Sequence, residues 1–457
     1  SAARAADATT KCGQYTVRVQ DLASDYRLQR LTLSGPAGTV TRVEDAGVEL
    51  SFCQDITNDG HPEALIGTFS GGAHCCFTQH LWSLAPQPRK LLELHTGDAP
   101  TMTPRQLDGR GPLELVTYDG RFAYAYGLSF AASPFLPVVY SLKGGRYVND
   151  TRSFPGVLLN AHRQSLGRDD ATAALSGTAA LIAAGQEAQA ASFLVGFPPK
   201  VRAWLQSYLP DLRQDLSNYG MEDWPARASL KADTFGVGGS FSAAGTREYS
   251  AVTLDAGGRR SLRLFRAGGE AVSASPPLLS TDARGSWQPR FTVRRQDGRD
   301  DLVLRDDTSG SARYRPYRLG ATASELSDSL ATFTRFLGGL TRLAELNERI
   351  SNTSAPRTAA QTSELQARLA TFRRDALAWG DPRGTTLDLP RLDYFLLGSI
   401  SAASDGPASA TWRATVYAAA DGDPNERYHL SADLTLADGS WSLRHWTLTP
   451  LPRDAPL

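Results

Sequence analysis

Asp55-Ile-Thr-Asn-Asp-Gly-His-Pro-Glu-Ala-Leu-Ile-Gly-Thr-Phe-Ser-Gly-Gly-Ala-His-Cys-Cys-Phe-Thr-Gln-His-Leu-Trp-Ser-Leu84 decides how the chain is read. A polar turn with a glycine, Asp55–Glu63, feeds an apolar strand at Ala64–Phe69. The Gly71-Gly72 pair then leads into a second strand, Cys76–Leu84, which Pro86 and Pro88 end. Upstream, Tyr15–Gln20 and Gly47–Cys53 alternate apolar and polar positions, the period of strands with one buried face. Downstream the unit recurs. Gln106-Leu-Asp-Gly-Arg-Gly-Pro-Leu-Glu precedes the strand Leu115–Tyr118, with Gly111 in the place of Gly60. A fainter third copy is Arg295-Gln-Asp-Gly-Arg-Asp-Asp-Leu-Val-Leu, with Gly298 at the turn. Repetition of a glycine turn feeding a strand points to repeated β units of the propeller-blade kind, although the uneven spacing does not make a regular propeller.

Between and after these units the period changes. Ala173–Ala191 and Val201–Tyr219 read as helices separated by Phe197-Pro-Pro-Lys, and residues 229–320 return to strands at Tyr249–Leu254 and Ser261–Phe265. Leu326, Leu330, Phe333, Leu337, Leu340 and Leu343 follow helical spacing, as do Leu365, Leu369, Phe372 and Leu377 across a short polar connector. An antiparallel helical hairpin is expected, its leucine stripe a packing seam. The C-terminus reads as strands at Thr411–Tyr417, Tyr428–Leu436 and Trp441–Leu448, with Asp438-Gly439 as a hairpin turn. Trp441 and Trp446 differ in parity, so one is expected to face inward and the other outward.

The fold class expected is therefore mainly β with helical inserts, an α+β multidomain chain. It comprises a β domain over 11–160, a helical segment over 161–228, a β region over 229–320, a helical hairpin over 321–385 and a C-terminal antiparallel sheet over 386–457. Aromatics crowd residues 121–150, among them Phe122, Tyr124, Tyr126, Phe130, Phe135, Tyr140 and Tyr147. Most should fill a sheet core, with a carbohydrate or pigment platform as the alternative.

Forty-eight basic residues balance 48 acidic ones, so no net field steers the chain to nucleic acid or an anionic membrane. No apolar run reaches the ~18 residues of a membrane helix. The small, polar start Ser-Ala-Ala-Arg-Ala-Ala-Asp is the kind left when a signal peptide is removed, which predicts an extracytoplasmic location, periplasm or cell envelope. Four cysteines, Cys12, Cys53, Cys75 and Cys76, suit disulfides there in any of three connectivities. Nucleophile elbows, phosphate loops, dinucleotide fingerprints and zinc-protease helices are all missing from the sequence.

Asp55, Thr57, Asp59 and Glu63 place oxygens at alternate positions around Gly60, which suits calcium; the competing reading is a turn tied by its own hydrogen bonds. In the second copy Arg110 stands at a ligand position, where its guanidinium would replace a cation. The Asp55–Glu63 turn resembles the calcium turn of FG-GAP or VCBS-type repeats. Together with Ser70-Gly-Gly-Ala-His-Cys-Cys-Phe, Phe122-Ala-Tyr and Ser129-Phe-Ala-Ala-Ser-Pro, it is similar to exported bacterial proteins of that type over about residues 45–150. The resemblance implies an extracytoplasmic β domain and a structural cation, and no reaction.

His61, His74, Cys75, Cys76 and His80 are the copper candidates, since imidazole and thiolate suit that ion. On one strand, residues six apart lie ~20 Å apart. His74 and His80 therefore need the chain to fold back, or a ligand from His61, His95 or Cys53. The competing reading pairs Cys75 and Cys76 with Cys12 and Cys53, or with each other. Solvent-exposed copper held by histidine could dismute superoxide, and the chain also resembles surface-layer-associated copper-only superoxide dismutases of bacteria, although it lacks a His-x-His ligand pair. The functional expectation is copper-dependent superoxide dismutation. The alternative is a non-enzymatic envelope scaffold or adhesion protein with structural calcium and disulfides, contacting an envelope or surface-layer partner or a second copy of itself.

Overall fold

The computed structural model describes residues 8–22, 28–72, 76–99, 101–227, 231–232, 236–255, 257–266, 279–281, 287–307, 313–320, 322–351, 358–360, 363, 366–367, 370–371, 381–382, 392–420 and 426–451. The chain is mainly β with helical inserts and divides into two compact units, Ser1–Gly196 and Phe197–Leu457.

The first unit opens with three four-stranded antiparallel meanders. The first contains β1 (Ala8–Cys12), β2 (Tyr15–Leu22), β3 (Leu28–Gly35) and β4 (Gly38–Asp45). The second contains β5 (Gly47–Gln54), β6 (Glu63–Phe69), β7 (Phe77–Ser83) and β8 (Arg89–Gly97). The third contains β9 (Thr103–Arg105), β10 (Glu114–Asp119), β11 (Leu136–Lys143) and β12 (Arg146–Asn149). Alternation places Tyr15, Val17, Leu31 and Leu33 on one face, where they meet Val48, Ala64 and Ile66 of the second sheet in a shared core. A disulfide between Cys12 and Cys53 ties β1 to β5 across that core.

Three helices follow: α1 (Pro155–Gln164), α2 (Ala171–Ala183) and α3 (Glu187–Val195). The alanine-rich segment, expected as one helix, is broken after Ala184. Gly185 takes a positive φ of 78°. Its N–H bonds the Ile182 carbonyl at 2.9 Å, while that of Gln186 bonds Leu181 at 2.8 Å. This pair of bonds is a Schellman cap, which closes a helix through a left-handed residue. Gly177 lets the Phe193 ring of α3 press against the α2 backbone, where a Cβ would collide with it.

The second unit begins with α4 (Pro199–Asp215) and α5 (Trp224–Arg227). A five-stranded sheet follows, made of β13 (Lys231–Ala232), β14 (Val237–Gly239), β15 (Glu248–Leu254), β16 (Arg260–Arg266) and β17 (Leu279–Thr281). The next meander has β18 (Trp287–Arg294), β19 (Asp300–Asp306), β20 (Arg313–Leu319) and β21 (Ala323–Glu325). The long helix α6 (Ser329–Ser351) leads to a last sheet of β22 (Asp381–Pro382), β23 (Leu392–Asp405), β24 (Ser409–Ala420), β25 (Arg427–Ala437) and β26 (Ser440–Pro450).

Asp328 caps α6, its carboxylate accepting from the Leu330 and Ala331 amides at 3.0 and 3.3 Å. The leucine stripe of α6 is taken up by the C-terminal sheet. Phe333 lies over Trp412 with ring centroids 6.4 Å apart, and Phe336 meets Trp446 at 5.2 Å. In the second half of the expected hairpin, residues 359–360, 363, 366–367 and 370–371 are helical. Its apolar positions Leu365, Leu369, Phe372 and Leu377 lie outside the described residues.

Trp441 and Trp446 do not face opposite ways. A register shift opposite Asp433/Leu434 inserts an extra residue into β26, so that Trp441 and Trp446 pack on the same cluster. A bulge of this kind reverses strand parity beyond it. Phe333 is fully buried, so Phe333→Ala should cost about 3–5 kcal/mol. Urea unfolding followed by tryptophan fluorescence would measure the loss; a change under ~1 kcal/mol would mean that α6 does not rest on this sheet.

Candidate functional site

The candidate site grows from the first residue of β6. Glu63 is fully buried. Its Oε2 accepts the backbone N–H of Ile56 at 2.9 Å and of Thr57 at 3.1 Å, and Thr57 Oγ1 donates to Oε1 at 3.3 Å. Around the turn, Asp55 accepts from the Gly60 amide and Asp59 from the His61 amide, each at 2.9 Å. Gly60 bends the chain at a φ of 84°, helped by Asn58 at 58°. The second copy repeats the device. Glu114 accepts from Leu107 N at 2.9 Å, Asp108 accepts from Arg110 N at 3.1 Å, and Gly109 and Gly111 have φ of 80° and 76°. The two turns also hold each other. Asn58 donates to the Gly111 carbonyl, Leu113 N to the Ile56 carbonyl, and Tyr147 Oη to the Leu113 carbonyl.

A further copy, not singled out from the sequence, precedes β15. In Ser240-Phe-Ser-Ala-Ala-Gly-Thr-Arg-Glu248, Gly245 has a φ of 77° and the buried Glu248 accepts from Ser242 N at 2.7 Å and from Thr246 Oγ1 at 3.1 Å. Its signal was a glycine three residues before a glutamate that opens an apolar strand. Before β19 the closing acid is Asp301, also fully buried, and here arginine does the work. Arg318 donates to it, and Arg295, at the turn's third position, stands 3.5 Å away. Guanidinium groups thus meet the acid in this copy, not in the second copy where the exchange was expected. Arg110 of the second copy is exposed and forms no ion pair among the described residues.

Burial raises the pKa of Glu63 above the usual carboxylate range, against the lowering effect of the Ile56 and Thr57 amides; burial likewise raises Glu114 against the Leu107 amide.

The calcium candidates are thus brought together, with Glu63, the closing residue, turned onto its own backbone amides. Of the copper candidates, His74 and Cys75 lie outside the described residues. Cys76 is disulfide-bonded and offers no thiolate. His61 sits on the turn, whereas His80 lies on β7 with its Nδ1 4.0 Å from Glu93; burial lowers its pKa, which Glu93 partly opposes. His95 stands across from Thr78, at 3.3 Å. Among the described residues no three His, Cys, Asp or Glu side chains converge to hold a metal ion. The remaining histidines contact other parts of the protein. His162 meets Phe193 edge-on, His429 bonds the Ser207 carbonyl, and His445 pairs with Asp433.

One aromatic surface stands out in the third sheet. Tyr118 and Tyr124 are 54% and 58% exposed, while Phe122 and Tyr126 are buried. Tyr124 and Tyr126 both adopt left-handed backbone, φ 58° and 56°, at roughly 1–2 kcal/mol each for a residue with a Cβ. Ser133 holds the loop, accepting from Tyr124 N at 3.0 Å and donating to the Ser129 carbonyl at 2.9 Å.

Compared with known proteins, the chain matches no family model, no curated protein and no solved structure.

The raised carboxyls give a signed pH effect. A folded pKa above the unfolded one means that the folded state holds the proton more tightly, so this contribution is lost as pH rises through the folded value and regained on acidification. Between pH 7 and pH 5, Glu63→Gln should remove part of the wild-type gain in urea midpoint, whereas Glu63→Ala, which strands two amides, should cost ~2–4 kcal/mol at both. Identical pH slopes for wild type and Glu63→Gln would contradict the assignment.

Proposed function

We propose that the protein is a non-enzymatic, exported scaffold of the cell envelope, built from repeated β units of the FG-GAP/VCBS kind. The observation that carries this reading is the inward turn of the closing acids. The acids that would close a cation site are met by the protein's own amides, hydroxyls and arginines, which supports a structural role for them. Copper-dependent dismutation draws no support from the described ligands. The Cys12–Cys53 bridge agrees with an oxidising compartment. The preformed loop carrying Tyr124, which follows the exposed Tyr118 of β10, is the surface through which such a scaffold would meet its partner. Tyrosine there offers an apolar ring and a polar edge at low entropic cost, and left-handed backbone retained at a surface loop is a mark of binding segments.

Chelator-treated protein, re-equilibrated separately with equimolar calcium and copper(II) and then desalted, tests the reading. Neither ion should be retained in stoichiometric amount, the melting temperature should move by less than about 2 °C, and superoxide should decay at the uncatalysed rate. One equivalent of copper with accelerated superoxide decay would restore the enzyme reading. A calcium-dependent rise of ~5 °C or more would restore the cation.

A further inference from the structure

A groove of about 650 Å³ in the second unit runs between the start of β20, residues 325–327 and α6 from Ala331 to Arg342. Its volume falls within the ~300–1,000 Å³ typical of small-molecule sites. Arg313 and Arg315 come from the strand. Arg335 and Arg342 come from one face of the helix, with Ala331, Thr334 and Gly338 between and beside them. Pro316 and Leu326 supply an apolar part of the wall. The short β21 pairs with residues 317–319 and Leu326 N bonds the Pro316 carbonyl, so among the described residues no strand pairs with the outer edge of β20 over 313–315, where it borders the groove.

The charges of this groove are not balanced in the way the rest of the sheet is. Arg305 pairs with Asp307 at 3.1 Å, Arg318 with Asp297 at 3.1 Å and with Asp301, and Arg295 with Asp328 at 2.6 Å. Within the groove Arg315 is also neutralised, by Glu325 at 2.5 Å and Asp306 at 3.1 Å. Arg313, Arg335 and Arg342 differ. Arg335 reaches only the Ala331 carbonyl and Thr332 Oγ1, and no carboxylate pairs with any of the three among the described residues. Residues 308–312, Thr-Ser-Gly-Ser-Ala, contain no acid. Three like charges on one concavity repel each other, and a low-dielectric wall strengthens that repulsion. A guanidinium fork is matched by the two oxygens of a carboxylate or phosphate.

We propose that this groove binds a small organic anion carrying two or more oxyanion groups, clamped between Arg313 on the strand and Arg335 and Arg342 on the helix. Arg315 is the fixed corner of the site, committed to Glu325, and the apolar wall takes the ligand's uncharged part. This role is independent of whether the first unit binds a metal.

Calorimetric titration of the full chain with tripolyphosphate and, separately, with citrate provides the test. At least one should bind with a submillimolar constant that weakens as salt is raised. A preference for tripolyphosphate assigns a phosphorylated ligand, and a preference for citrate assigns a polycarboxylate. Arg313→Gln and Arg342→Gln remove exposed side chains and should leave melting unchanged while weakening binding about tenfold or more. Arg42→Gln, an exposed change of equal charge on β4, should leave it unchanged. Absence of binding by both anions, or equal weakening by Arg42→Gln, would overturn the proposal.

Discussion

A buried carboxylate within the first two residues of a strand is the constraint on which the repeating part of this protein depends. Glu63, Glu114, Glu248 and Asp301 each enter an environment that disfavours charge. An uncompensated anion there would cost several kcal/mol. Each is instead met by donors, from the preceding turn for the three glutamates and from Arg318 of β20 for Asp301. The turn in its nine-residue span can place those donors only if a glycine bends it. Acid, glycine and strand are therefore one unit, and losing any member removes the reason for the other two.

The compensation comes from three kinds of donor. Two backbone amides serve Glu63; backbone and hydroxyl donors serve Glu248; guanidinium groups serve Asp301. A cation cage and such a turn demand the same residue types, because both need oxygens around a tight bend. That is why Asp55, Thr57, Asp59 and Glu63 were legible as a group from sequence while their direction was not. Whether an oxygen faces an ion or an amide depends on a rotation about side-chain bonds that spacing does not encode.

The strands and glycine turns were equally legible, through alternation and through Gly60, Gly111 and Gly298. What escaped had weak local signals or non-local causes. The turn at 240–248 has Ser-Ala-Ala where the first copy has Thr-Asn-Asp, leaving only Gly245 and Glu248 to mark it. The parity of Trp441 and Trp446 was reversed by a bulge whose cause lies in pairing with β25. The single helix expected over the alanine run was interrupted by Gly185, whose cost in a helix is small enough for alanine to mask it. The leucine stripe of α6 announced burial correctly, but the surface that covers it includes Trp412 and Trp446, each more than 70 residues from the phenylalanine it meets.

The bridge from Cys12 to Cys53 has a topological effect beyond its contribution to folding. It encloses 41 residues of sequence separation, including three whole strands of the first sheet. A single protease cut anywhere inside that span would yield two fragments still joined covalently. The chain would migrate as intact until a reductant was added, so the amino-terminal sheet can be nicked without being shed.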